Sequence, residues 1–336
     1  MKTHLTIMDI ARLSGYSKST VSRVLMGDPK VKARTREKIK KVMEEYHYKR
    51  NEIARSMVKG NISMVLIIAG DIANYFYGRA VREIEDVLFE AGYMAVVCSS
   101  DYNPEKELHF LNVAMECKLA GVILMTASES PKLCRLLSEM NCPVVLMNRY
   151  LRSMPNLDYV VQDNYQGAYK AVSHLIKIGH RRIFHLSGVF GTTTGDDRLS
   201  GYQQAMKDAG YPVTPDMVMQ GNLKWECGYQ YAKWLIENDT DATAISVSND
   251  TMTLGFISGW IEAGRRIPDD MSIVCFDYTP LMDQMEIKIS TVGVDAGELG
   301  KATAKLLLER IKGSDKPPQH MVYKPDLQIK SSVKGT

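Results

Sequence analysis

The stretch from Thr6 to Leu25 constrains this chain more than any other. It reads Thr-Ile-Met-Asp-Ile-Ala-Arg-Leu-Ser-Gly-Tyr-Ser-Lys-Ser-Thr-Val-Ser-Arg-Val-Leu, two short helical patterns separated by Ser14-Gly15-Tyr16. Thr6 caps the first, and Asp9, three residues on, completes a Thr-x-x-Asp variant of the capping box. Ile7, Ile10, Ala11 and Leu13 supply its apolar face. Ser17 caps the second, whose apolar side is Val21, Val24 and Leu25. Two helices joined by a short Gly-containing turn make a helix-turn-helix pattern, in which the second helix is the one that enters a major groove.

On the polar face of the second helix stand Lys18, Ser19, Ser22 and Arg23. Short hydroxyls and long cations hydrogen-bond phosphates and base edges. The plain alternative is a helical hairpin with a solvated basic face. The charge distribution weighs against it. Residues 1–60 carry 15 Lys/Arg against 6 Asp/Glu, giving +9, whereas the other 276 carry 27 against 33, giving −6. A small basic head on a mildly acidic body suits a DNA-binding domain joined to a ligand-sensing one. Membrane-surface binding would need a Trp/Phe/Leu-rich apolar face, which the head lacks.

The 336 residues are enough for two or three domains with separate cores. No secretory signal pattern opens the chain, and no run approaches the ~18 apolar residues of a membrane span, so the expected location is cytoplasmic, with no membrane partner. Six cysteines (98, 117, 134, 142, 227 and 275) form no C-x-x-C pair and read as reduced, buried thiols. His180 and His185 lie five apart, but His185 falls inside a strand-like run and reads as structural. No cofactor or metal is called for.

Further along, a third helix is expected over Ala33–Glu45, with Ile39, Val42 and Met43 facing the core. From Ser63 the pattern alternates apolar strands with amphipathic helices. Strands are expected at Ser63–Ile68, Tyr93–Cys98, Gly121–Met125 and Val144–Met147, then at Tyr159–Gln162, Arg182–Ser187, Ala244–Val247 and Ser272–Phe276. Strands this continuously apolar are covered on both faces, and repeated β-α units imply a doubly wound parallel sheet. Two such series imply two similar α/β subdomains beside the all-α head.

The N-terminal string resembles the lac-repressor (LacI/GalR) family of bacterial transcription regulators, whose entry pattern is Thr-Ile-x-Asp-Ala/Ile-Ala-x-x-Ala/Ser-Gly-Val-Ser-x-x-Thr-Val-Ser-Arg-Val-Leu. Tyr16 stands where Val is usual. The family caps its third helix with Ser or Thr; here Val31 and Lys32 occupy that place, a loss of ~1 kcal/mol. Tyr48, Asn51, Ala54 and Arg55 match the family's hinge helix, which orders on operator DNA, while Arg50 replaces its Pro and Met57 its Leu. That Leu is a minor-groove wedge, and Met is apolar and long enough to serve. A plain linker helix is the other reading.

By this resemblance Ser17, Lys18, Ser19, Thr20, Ser22 and Arg23, with Asn51, Ala54, Arg55 and Met57, touch DNA. Lys18, Ser19 and Arg23 would read bases; Ser17, Thr20, Ser22 and residues 30–36 would meet phosphates. The resemblance implies a head over residues 1–48, a hinge over 49–60, and two subdomains of periplasmic-binding-protein type. The first takes 61–160 and 291–320, the second 161–290 and 321–336. It also implies a cleft ligand held by Phe76, Asn148, Arg198, Asn249 and Asp277, with Phe76 stacking and the others hydrogen-bonding. Each follows an apolar strand in a family-like string: Asn74-Tyr75-Phe76-Tyr77, Asn148-Arg149, Arg198 with Gly201-Tyr202, Asn249-Asp250 and Phe276-Asp277.

Bland readings stand beside these. Asn249 and Asp250 can cap the next helix, with Asp250 the expected cap; Arg198 can be a surface ion-pair partner, and Phe76 can be core. Leu223 falls where some relatives carry an aromatic, for which Trp225 is either the replacement or core. An enzyme is poorly supported: Gly188, Gly191 and Gly195 fit neither G-x-G-x-x-G nor a P-loop. A solute-binding protein would carry a signal peptide instead of a basic head. The expectation is a non-enzymatic repressor, a homodimer on near-palindromic double-stranded DNA, controlled by a small molecule such as a sugar or sugar derivative. A protein co-effector of the catabolite-control type is the alternative.

Overall fold

The structure is a computed structural model that describes residues 5–46, 48 and 62–336. It divides into two compact units, residues 1–60 and 61–336.

In the first unit, α1 (Ile7–Ser14), α2 (Lys18–Leu25) and α3 (Ala33–Glu45) close around Ile10, Val21 and Ile39, all fully buried. The capping box forms: Thr6 N–H donates to Asp9 Oδ2 at 2.9 Å and Asp9 N–H to Thr6 Oγ1 at 3.3 Å. Gly15 takes φ +74°, the left-handed conformation that ends a helix. Leu13 departs from expectation and stays 39% exposed. The inward stripe is Ile7, Ile10, Ala11 and Ser14, spaced i, i+3, i+4, i+7, and Leu13 falls off it. Lys32 precedes α3 with no side-chain cap.

The second unit holds two six-stranded sheets. The first is ordered β11-β5-β4-β3-β1-β2, from strands Ile62–Ala69 (β1), Met94–Ser99 (β2), Leu119–Leu124 (β3), Val144–Met147 (β4), Asp158–Gln162 (β5) and His320–Tyr323 (β11). The second is ordered β12-β10-β9-β8-β6-β7, from Ile183–Ser187 (β6), Val218–Gln220 (β7), Ala244–Val247 (β8), Ser272–Phe276 (β9), Ser290–Gly293 (β10) and Asp326–Gln328 (β12). All pairings are parallel except β10 with β12. The central strands β3, β4, β6, β8 and β9 are buried at every position, which is why they are mostly apolar, with His185, Ser187, Ser246 and Ser272 the buried polar exceptions.

The chain passes between the sheets after β5, after β10 and after β11. The second and third passages fall later than the expected 291 and 321, because β10 lies wholly in the second sheet and β11 wholly in the first. These strands are too short for periodicity to locate. Helix α12 (Ala296–Ile311) returns to the first lobe, where Arg310 grips Asp158 through a two-pronged pair at 2.7 and 2.8 Å. The cysteines are free, as expected, but only Cys275 is buried; Cys117 is exposed and the other four half-buried.

Candidate functional site

On the head, Ser17 caps α2: Thr20 N–H donates to its Oγ at 3.2 Å, and its Oγ also pairs with the hydroxyls of Ser19 and Thr20 at 2.8 Å. Lys18, Ser19 and Arg23 are exposed, Thr20 and Ser22 half-buried. The helix thus offers two cations and a hydroxyl on one accessible face. Arg36 is engaged differently, its Nη2 donating to the Asp28 carbonyl at 2.7 Å, so it braces the turn after α2. Asn51, Ala54, Arg55 and Met57 lie outside the described residues.

In the second unit, the carboxyl ends of strands from both lobes meet on one cleft, where parallel sheets hold ligands. Phe76, Asn148, Arg198, Asn249 and Asp277 all line it. Asn148 (φ +67°) and Asp277 (φ +65°) take the left-handed backbone that short polar side chains tolerate, turning the chain at the ends of β4 and β9. Leu223 does so at φ +67°, which costs about 1 kcal/mol for such a residue.

Arg198 is the hub. It is 4% exposed, which removes the surface ion-pair reading. Nε donates to Asn164 Oδ1 at 2.8 Å, Nη1 donates to the Ser248 carbonyl and lies 3.7 Å from Asp277 Oδ2, and the guanidinium sits 4.1 Å from the Phe276 ring centroid. Burial pulls its pKa down and Asp277 opposes that. Gln162 Nε2 donates to Asp277 Oδ1 at 3.1 Å, and its Oε1 accepts the Val294 N–H at 3.2 Å, fixing the amide. A carboxylate, a guanidinium and amides stand next to Phe76, which is 5% exposed and serves both cleft and core.

Asn249 corrects one expectation. It caps α10 (Asp250–Glu262), accepting Met252 N–H at 3.0 Å, while its Nδ2 donates to the Leu223 carbonyl at 3.1 Å. Asp250 is the first helical residue, and its carboxylate instead receives Asn74 Nδ2 from the other lobe at 3.0 Å. Burial first, and Asp277 second, raise the Asp250 pKa. Trp225 stacks on Tyr229 at 5.0 Å and stays 39% exposed, so Leu223 occupies the cleft position. Gly195 N–H donates to Thr192 Oγ1, making the glycine run a helix start, α8 (Thr193–Asp208).

The lobes are drawn together around this centre. Asn74 Nδ2 also donates to Thr251 Oγ1 at 2.8 Å, Tyr150 N–H to Thr193 Oγ1 at 3.2 Å, and Arg152 pairs with Asp197 at 2.6 Å. The space left is about 30 Å³, room for roughly two waters, so a larger ligand requires the lobes to part. Tyr77, named from the sequence only as part of the Asn74–Tyr77 string, also lines the cleft, as do Tyr102 and Thr194, which sequence reasoning missed. Only the Thr192-Thr193-Thr194 run after β6 hinted at one of them.

A model of the bacterial regulatory proteins of the lacI family matches residues 6–51, and one of the periplasmic binding protein-like domain matches residues 172–333. The HTH-type transcriptional regulator DegA of Bacillus subtilis (strain 168) is 32% identical over 99% of this chain and 98% of its own. The chain belongs to the lacI family. As a lacI-family protein it is a transcriptional regulator of a family that binds operator DNA. Its two-lobed fold is that of the lac repressor dimer bound to operator and the anti-inducer ONPF, at TM-score 0.86 and 21% identity, covering 99% of this chain and 100% of that one. The transcriptional regulator CelR–cellobiose complex is similar at TM-score 0.75 and 26% identity, covering 98% of this chain and 100% of that one. No helix among the described residues is long and apolar enough to cross a membrane.

Proposed function

We propose that this lacI-family chain is a homodimeric cytoplasmic repressor that reads a near-palindromic operator and is controlled by a sugar or sugar derivative bound between its lobes. Lys18, Ser19 and Arg23 read bases, Ser17, Thr20 and Ser22 meet phosphates, and Asn51, Ala54, Arg55 and Met57 order a hinge on the DNA. Two-fold protein symmetry would be mirrored in the site. The apolar surface around the β2 edge supports a dimer: Met94 and Val97 on β2 are 58% and 39% exposed, and Phe89, at the end of the preceding helix Tyr75–Glu90, is 80% exposed.

One observation carries the effector reading. Phe76, Asn148, Arg198, Asn249 and Asp277, spread over 202 positions of sequence, converge on one cleft between the lobes. Amide, carboxylate and guanidinium groups beside an aromatic suit the hydroxyls and C–H face of a sugar. The similarity to a cellobiose complex supports the same class. A thermal-shift screen of sugars and nucleosides tests it, because a ligand that prefers the folded state raises apparent stability. A rise with one or more sugars is expected. A response to nucleosides alone would contradict the sugar class.

A further inference from the structure

Beside the closed cleft lies a second chamber of about 150 Å³, and Tyr102 and Arg149 line both. Its walls come from both lobes: Ser100, Glu107 and Thr126 from the first, Phe190 and Thr192 from the second. Whole small-molecule sites run to about 300–1,000 Å³, so this space is sized for part of a ligand whose remainder lies in the cleft.

Two of its groups have capacity to spare. Arg149 is 4% exposed; its Nη1 donates to the Thr126 carbonyl at 3.1 Å, but its buried Nε finds no acceptor among the described residues. A buried donor left unmatched is costly, and a ligand oxygen would relieve it. Glu107 lines the chamber, is 3% exposed and receives the Thr126 hydroxyl on Oε1 at 2.6 Å; a carboxyl has a second oxygen with which to accept a hydroxyl. Phe190, 40% exposed on the chamber wall, adds an apolar ring. A guanidinium that donates, a carboxyl that accepts and an aromatic face together match a ring bearing hydroxyls on its edge and C–H groups on its face. A purely anionic group would meet Arg149 but also the Glu107 carboxyl, so it fits less well.

The geometry points to a second sugar subsite, making the effector a two-ring glycoside with one ring beside Phe76 and Asp277 and the other between Arg149, Glu107 and Phe190. This rests on the sugar reading above. The second ring then touches both lobes, so its binding is tied to how far they close.

The test is calorimetric titration of the full chain with glucose, galactose, ribose, cellobiose, maltose, lactose and glucose 6-phosphate, repeated on Phe190→Ala and Glu107→Gln. Expected is one disaccharide that binds about tenfold more tightly than its component monosaccharide, with both variants erasing that gain and leaving monosaccharide binding within about twofold. Monosaccharides binding as tightly as any disaccharide, or variants that keep the gain, overturn the second subsite while leaving the sugar reading intact. Tightest binding by glucose 6-phosphate overturns it in favour of an anion site. Binding by none of the seven, from protein that still binds DNA, removes the sugar reading and the subsite together.

Discussion

Asn74 and Asp250, 176 positions apart, join the two lobes at their helix starts. Asn74 Oδ1 accepts Phe76 N–H at 2.9 Å, capping the helix Tyr75–Glu90, while its Nδ2 donates to Asp250 Oδ1 at 3.0 Å and Thr251 Oγ1 at 2.8 Å. One amide therefore caps the start of a helix and latches the cleft. Its two halves can be separated by substitution.

Asn74→Asp keeps the capping oxygen but sets a carboxylate against Asp250. Two cross-lobe hydrogen bonds are lost, about 2 kcal/mol in favour of parting the lobes. The expected outcome is a larger radius of gyration by X-ray scattering without effector, with helix content preserved. Scattering identical to the wild type would mean that the latch does not hold the lobes.

His185 sets an acid limit on stability. It is fully buried in β6, stacked on Tyr202 at 4.9 Å, and burial pushes its pKa down to about 3. Because the folded value lies below the ordinary one, its contribution is complete above pH ~6.5 and is lost as pH falls towards 3, when the unfolded chain takes up the proton first. Between pH 7 and pH 5 the wild type should lose about 2 kcal/mol more than His185→Leu, read by urea unfolding at both values. Equal losses would place the proton uptake elsewhere.

Met57 lies outside the described residues, and its wedge role rests on the hinge motif. Met57→Gly should weaken specific operator binding far more than binding to random duplex, since a wedge acts only where the hinge is seated. Equal losses on both DNAs, measured by fluorescence anisotropy at one salt concentration, would remove the wedge.

Much of this was legible from residue order, for identifiable reasons. Buried strands made the β-α series readable, and the polar residues just after β4, β8 and β9 marked the cleft because such positions are costly without a partner or ligand. The Asn74–Asp250 contact was not legible, since nothing in either local pattern predicts a partner 176 positions away. Strands β7, β10 and β12 have three or four residues, too few to show a period. Leu13 shows the limit within a helix: an apolar residue one step off the stripe faces water. Asp250 shows it at a helix start, where the preceding Asn249 is the better cap and frees the aspartate to reach across the cleft.

The central claim is that one cleft governs one DNA-reading head. Asp277→Asn tests it, because Asn keeps the left-handed backbone and the shape while removing the charge beside Arg198. The measurement is operator affinity of the full-length wild type and variant at fixed salt, with and without the sugar that most stabilises the wild type. The account predicts equal affinity for the two proteins without sugar, a change of about tenfold or more for the wild type on adding it, and none for Asp277→Asn. A variant that responds like the wild type would contradict it.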